Sequence, residues 1–157
     1  MAAPSRSDLV GSWRLASFTQ RESSGGAPLH PYGSQPLGRL LYARSGHMGV
    51  QIQRAAAERP HWASGALAEG SAAELVAAAA SFRAYSGTWR LVPQPGGGAR
   101  VEHRVETSLF PNRQGTALVR VASLSADGRT LTLTPVQPTP GMAEEELVWT
   151  REAELDG

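Results

Sequence analysis

The 157-residue chain contains no cysteine and no lysine; all 15 of its basic residues are arginine. Without a thiol there is no disulfide, no thiolate nucleophile and no zinc site built on sulfur, and without a lysine amine there is no Schiff base. No apolar run approaches the length needed to span a bilayer, and the opening "MAAPSRSD" lacks the apolar stretch of a secretory signal. A cytoplasmic location with no membrane partner is therefore expected. Basic residues are not clustered and the net charge is +1, so the chain has no electrostatic footprint for nucleic acid. Four scattered histidines, none paired at ligand spacing, give no metal site.

What is present is the composition of an ordinary globular domain, with 41% hydrophobic and 18% charged residues. The length suits a single domain over residues 1–157, with 1–8 and 152–157 as flexible tails. Arginine in place of lysine, beside abundant alanine, points to a GC-rich bacterial genome.

Period-two alternation recurs along the chain. Trp13–Thr19 places Trp13, Leu15 and Ser17 on one face and Arg14, Ala16 and Phe18 on the other. The Gly, Pro and Ser-rich segment that follows, up to residue 37, reads as a long loop. Leu40–Ala43 and Met48–Arg54 flank the turn Arg44-Ser45-Gly46-His47, whose glycine can take a positive φ. "GSAAELVAAAASFRAY" changes period, and Ser71 with Glu74 forms a capping box, so a helix is expected to about Phe82. Alternation returns in "YSGTWRLV", "RVEHRVETSLF", "TALVRVASL", "TLTLT" and "EELVWTR".

That makes eight strands with one helix between the third and fourth, the count of an eight-stranded antiparallel up-and-down barrel. A two-sheet sandwich is the competing arrangement. In a barrel, the long connections 20–37, 55–84, 111–114 and 135–143 fall at one end and the tight turns near His47, Gly97 and Asp127 at the other. The chain then folds as a cup with a closed floor and a covered mouth. The last strand brings Arg151 to the floor beside Trp13, where a guanidinium over an indole face is a favourable contact.

The segments "LVGSWRL" (9–15), "GRLLYARSGHMGVQIQR" (38–54), "FRAYSGTW" (82–89) and "HRVETSLFPN" (103–112) together resemble the bacterial and fungal lipocalin-like domain family, and Gly-x-Trp with a final-strand arginine resembles the lipocalin signature. The resemblance implies a calycin-type barrel. The helix lies elsewhere than in the secreted lipocalins, which carry theirs after the eighth strand and usually contain disulfides.

A barrel of this size implies a cavity for one apolar molecule. On the fifth strand one face carries His103, Val105, Thr107 and Leu109, the other Glu102, Arg104, Glu106, Ser108 and Phe110. Apolar patterning puts His103 inside. The resemblance centres instead on Glu106, Ser108, Phe110, Pro111 and Asn112 of the opposite face. His103 and Glu106 are the candidate proton-transfer residues, the former as acid or base, the latter as a shuttle if buried. A wall histidine, and a surface carboxylate paired with Arg104 or Arg120, are the plainer alternatives. Tyr42, Tyr85 and Trp89 are candidates to line the cup and stack on a ligand; Gln51, Ser108, Phe110, Asn112 and Arg120 complete the ligand-binding candidates. Trp13 and Arg151 form the structural floor. His30, His61 and Trp62 lie on mouth segments that can serve as a lid.

Two functions from different classes follow. One is a cofactor-independent cyclase, isomerase or dehydratase of specialised polyketide or terpenoid metabolism, which confines a reactive substrate and moves a proton. The other is a non-catalytic carrier of a hydrophobic metabolite. Both need a hydrophobic small molecule as partner and no cofactor, and both allow a homodimer.

Overall fold

Eight strands follow one another around a closed antiparallel barrel, each bonded to its sequence neighbours and the eighth to the first. The computed structural model describes residues 3–156. The strands are β1 (Gly11–Glu22), β2 (Leu37–Tyr42), β3 (His47–Gln53), β4 (Phe82–Pro93), β5 (Ala99–Ser108), β6 (Ala117–Leu124), β7 (Thr130–Pro135) and β8 (Met142–Arg151). Closure leaves no sheet edge to template aggregation, and the two-sheet alternative is thereby excluded.

Among the described residues, two α-helices accompany the barrel. α2 (Ala72–Ala80) lies between β3 and β4 as its capping box requires, with Ser71 and Glu74 each bonding the other's backbone. α1 (Arg6–Leu9) begins within residues 1–8, expected as a tail, and ends just beyond them; a second capping box, Ser5 with Asp8, starts it, and Leu9 is fully buried beneath the barrel. The tight turns lie at the α1 end and the long connections at the other. Gly46 takes φ +94° in the turn between β2 and β3, a left-handed conformation that favours glycine.

The register shifts at three places, at the upper end of β1 between Arg21 and Glu22 and at two bulges that bear on the interior. In β1, Leu15 pairs with Trp149 and Ser17 with Val148, so Ala16 is an extra residue. The phase reverses there, and Phe18, expected on the face opposite Trp13, turns into the core at 1% exposure. In β5, Thr107 pairs with Ser86 but Val105 with Gly87, which leaves Glu106 unpaired. Gly87 is required at this point, since a Cβ would overlap the Arg104 carbonyl that the bulge brings against it.

Candidate functional site

The floor is sealed by contacts whose polar ends are all satisfied. Trp13 is fully buried; its indole N–H donates to the Leu9 carbonyl at 2.9 Å, and the Arg151 guanidinium lies 4.1 Å from the ring centroid. Arg151 also donates to the carbonyls of Val10 (3.1 Å), Gly128 (3.0 Å) and Asp8. Stacked on one face and bonded along its edge, this cation closes the barrel and ties α1 to the turn between β6 and β7.

Above the floor runs a chain of polar side chains in an otherwise apolar interior. His103 is 1% exposed; Tyr42 Oη stands 2.6 Å from its Nε2 and Tyr85 Oη 2.9 Å from its Nδ1. Arg120, also buried, reaches Nδ1 at 3.4 Å with its Nη1 and lies over the Tyr85 ring. Burial first, and the Arg120 charge second, push His103 well below its ordinary pKa, so the imidazole is neutral. Burial, then the neighbouring Tyr85, push the Tyr42 hydroxyl well above the usual tyrosine range, against the opposing pull of Arg120. Because an arginine N–H can only donate, Nδ1 is the accepting nitrogen and Nε2–H faces Tyr42. Tyr42 also packs on Trp89 at 4.5 Å between centroids, and the Trp89 N–H donates to the Ala43 carbonyl.

The lower barrel is therefore nearly full. The space bounded by His103, Tyr85, Arg120, Arg83, Trp149 and the surrounding aliphatic residues amounts to about 10 Å³, room for one water molecule. The Trp149 indole N–H in this wall is the one buried side-chain donor without a partner among the described residues.

The bulge at Glu106 resolves the two faces of β5. His103 and Val105 point inward below it, and Glu106 is exposed outside, unpaired in the ladder and without the burial a proton shuttle needs. Beyond it the phase is switched, so Ser108, paired with the inward Tyr85, borders the mouth although it shares a nominal face with Glu106. Phe110 sits half-exposed at the mouth, and Asn112 is exposed in a short turn beyond it. Gln51 is exposed on the outside of β3 between the buried Val50 and Ile52. Arg120 lies inside the wall rather than beside Glu106.

Two hollows open at the mouth. One, of about 280 Å³, is walled by Tyr32, the end of α2, Arg83, Ser108, Phe110 and Arg113. The other, of about 600 Å³, runs along β6 and the Pro-rich loop before β8 and is bordered by Arg83, Phe110, Arg113 and Arg120. Arg83 borders both hollows and the small interior space, so it stands where all three meet.

A closed eight-stranded barrel with a tryptophan and arginine at the floor and hollows at the mouth is the architecture of small-molecule binders. Residues 10–152 match the family model of the lipocalin-like domain. The chain belongs to the lipocalin-like domain family. A search of curated proteins finds no match to it. Among the described residues, no helix of this lipocalin-like chain is long and apolar enough to cross a membrane.

The structure brings five of the sequence candidates, Tyr42, Tyr85, Trp89, His103 and Arg120, into one interior cluster. Ser108 and Phe110 stand at the mouth, while Gln51, Glu106 and Asn112 lie outside both groups. Sequence reasoning missed Arg83, Arg113, Tyr32 and Trp149. For Arg83 the signal was present, since it lies on the same alternation as Tyr85, Gly87 and Trp89. Arg113 and Tyr32 sit in irregular segments where no period applies. His47 lies exposed at the start of β3, just past the floor turn; Trp62 folds back on the mouth segment, donating to the Leu67 carbonyl.

Proposed function

We propose that this lipocalin-like protein binds a hydrophobic small molecule at the open end of its barrel, with the leading edge of the ligand directed toward Tyr85, His103 and Trp149. The observation that carries this reading is that Arg83 borders both mouth hollows and the interior space, and Arg120 the larger hollow and the interior space, above a floor that is sealed. Drug-sized ligands are held in cavities of about 300–1,000 Å³, a range the upper barrel reaches and the lower barrel does not. Binding without chemistry is the reading we place first, because both ring nitrogens of His103 already face protein groups.

A second reading, a cofactor-independent cyclase, isomerase or dehydratase of specialised metabolism, is favoured by one arrangement. Tyr85 borders the interior space and bonds a neutral histidine, so a proton could pass from ligand to imidazole through one hydroxyl.

Titration with the neutral fluorophore N-phenyl-1-naphthylamine tests the binding reading. Saturable one-to-one binding is expected, and Ser108→Trp, which fills the smaller hollow, should weaken it by about tenfold or more, the scale set by losing a well-packed apolar site. Unsaturable fluorescence in the wild type, or full affinity in Ser108→Trp, would overturn it.

A further inference from the structure

We propose that the ligand carries a monoanionic oxyanion head, a carboxylate, and that Arg83, Arg113 and Arg120 hold this head at the mouth of the barrel. The inference deepens the binding reading above and rests on it. Three guanidiniums border the same pair of hollows: Arg83 and Arg113 line both, and Arg120 lines the larger one and the interior space below. Among the described residues none of the three forms an ion pair with a carboxylate, whereas Arg21, Arg39, Arg54 and Arg90 all do.

What positions these arginines is aromatic. Arg83 lies 5.2 Å from the Phe18 centroid and 5.7 Å from that of Tyr32; Arg113 lies 5.7 Å from Phe110, and Arg120 lies 6.0 Å from Tyr85. An aromatic contact engages the face of a guanidinium and leaves its N–H edge able to donate to a planar two-oxygen acceptor. Among the described residues the Arg83 and Arg113 side chains donate no hydrogen bond, and Arg120 makes only its long contact to His103.

Such a cluster is electrostatically unfavourable when empty. Burial, then the charge of Arg83, with a smaller contribution from Arg120, draw Arg113 below the ordinary arginine range, which shows that the three charges sense one another; Tyr85 and Tyr32 act in the opposite sense. A bound anion removes that cost. Arg100 and Glu145 also border the larger hollow. Glu145 is buried and accepts from the Thr139 backbone N–H, so it is not committed to any of the three arginines. The planar two-oxygen acceptor that open guanidinium edges match is a carboxylate, a singly charged head. The apolar body of the ligand then lies against Tyr32, Phe110 and the alanines closing α2.

Two probes with the same body separate this inference from the reading beneath it: N-phenyl-1-naphthylamine, which is neutral, and 1-anilinonaphthalene-8-sulfonate, which adds one singly charged oxyanion. Titrations use the wild type, Arg113→Gln and Arg83→Gln, each checked for a native circular dichroism spectrum and a cooperative melt. The sulfonate should bind the wild type about tenfold tighter or better than the neutral probe, as expected for charge-assisted hydrogen bonds, with the preference shrinking as salt is raised. Both substitutions should erase most of that preference, weakening sulfonate binding severalfold more than neutral-probe binding. Equal affinity for the two probes would overturn the anion site while the binding reading stands. A sulfonate preference that survives both substitutions would overturn the assignment of these arginines, and binding of neither probe would overturn both conclusions together.

Discussion

Both ends of the barrel place arginine over aromatic rings, and the two ends use it in opposite ways. At the floor, Arg151 stacks on Trp13 and spends its N–H groups on the backbone carbonyls of Asp8, Val10 and Gly128. At the mouth, Arg83 and Arg113 rest on Phe18, Tyr32 and Phe110, but their N–H groups find no acceptor among the described residues. The same residue pair thus serves closure where the guanidinium edge is saturated and, under the proposal above, recognition where it is open. Saturation of the edge separates the two roles, and the floor contact is also the closer one, 4.1 Å against 5.2 and 5.7 Å at the mouth.

The comparison is broken most forcefully at the floor. Trp13→Ala removes a fully buried indole from a region with no room to collapse, because Arg151 and Leu9 are fixed by their own bonds. A loss of about 3–5 kcal/mol in unfolding free energy is expected, the range for deleting a large aromatic from a core. Urea denaturation at neutral pH measures it, and a loss below about 1 kcal/mol would show that the floor is not a closed core element.

Midway between the ends, His103 sharpens the comparison through pH. Its pKa in the folded protein lies well below the value near 6.5 expected when unfolded, because of burial and then Arg120, with Tyr42 and Tyr85 against its two nitrogens. As pH falls below about 6.5 the unfolded chain takes up a proton that the folded chain refuses, so stability declines by up to about 1.4 kcal/mol per pH unit; above that pH the contribution is fully present. Asp8, Glu74, Asp127 and Glu152 are held below the ordinary carboxylate range by hydrogen bonds from Ser5, Ser71, Ser125 and Arg39, so their losses come at lower pH. His103→Gln should flatten the urea midpoint between pH 7 and 5.5. An unchanged slope would place the titration elsewhere.

Where the chain keeps strict alternation, its fold was open to reading. The Gly46 and Asp127-Gly128 turns, the Ser71 capping box and the run of alternating strands define the barrel without coordinates, and Trp13 against Arg151 follows from counting strand reversals. The inner face of β4 and of lower β5 follows from the same period. The upper site was legible only in Ser108, Phe110 and Arg120, for a definite reason: the bulges at Ala16 and Glu106 each shift the phase by one residue, which returns Phe18 and Ser108 to the inside and strands Glu106 outside. A bulge depends on pairing with the neighbouring strand, which a single strand's pattern does not contain. Arg113 and Tyr32 escaped because they lie in irregular segments, brought to the mouth by tertiary packing alone. The capping box of α1 was written in Ser5 and Asp8, yet four residues are too few for periodicity to announce a helix.

The smallest expected effect is the most discriminating. Arg113→Gln removes a guanidinium that is half-buried, makes no hydrogen bond among the described residues and is opposed by the charges of Arg83 and Arg120. Its loss of stacking on Phe110 is offset by relief of like-charge repulsion, so unfolding free energy should stay within about 0.5 kcal/mol of the wild type, or rise. Stability gives little reason for a cation there, and the proposed anion site supplies one. If urea denaturation showed Arg113→Gln losing more than about 1 kcal/mol, the guanidinium would be held by the protein itself as Arg151 is, and the two ends of the barrel would no longer differ in kind.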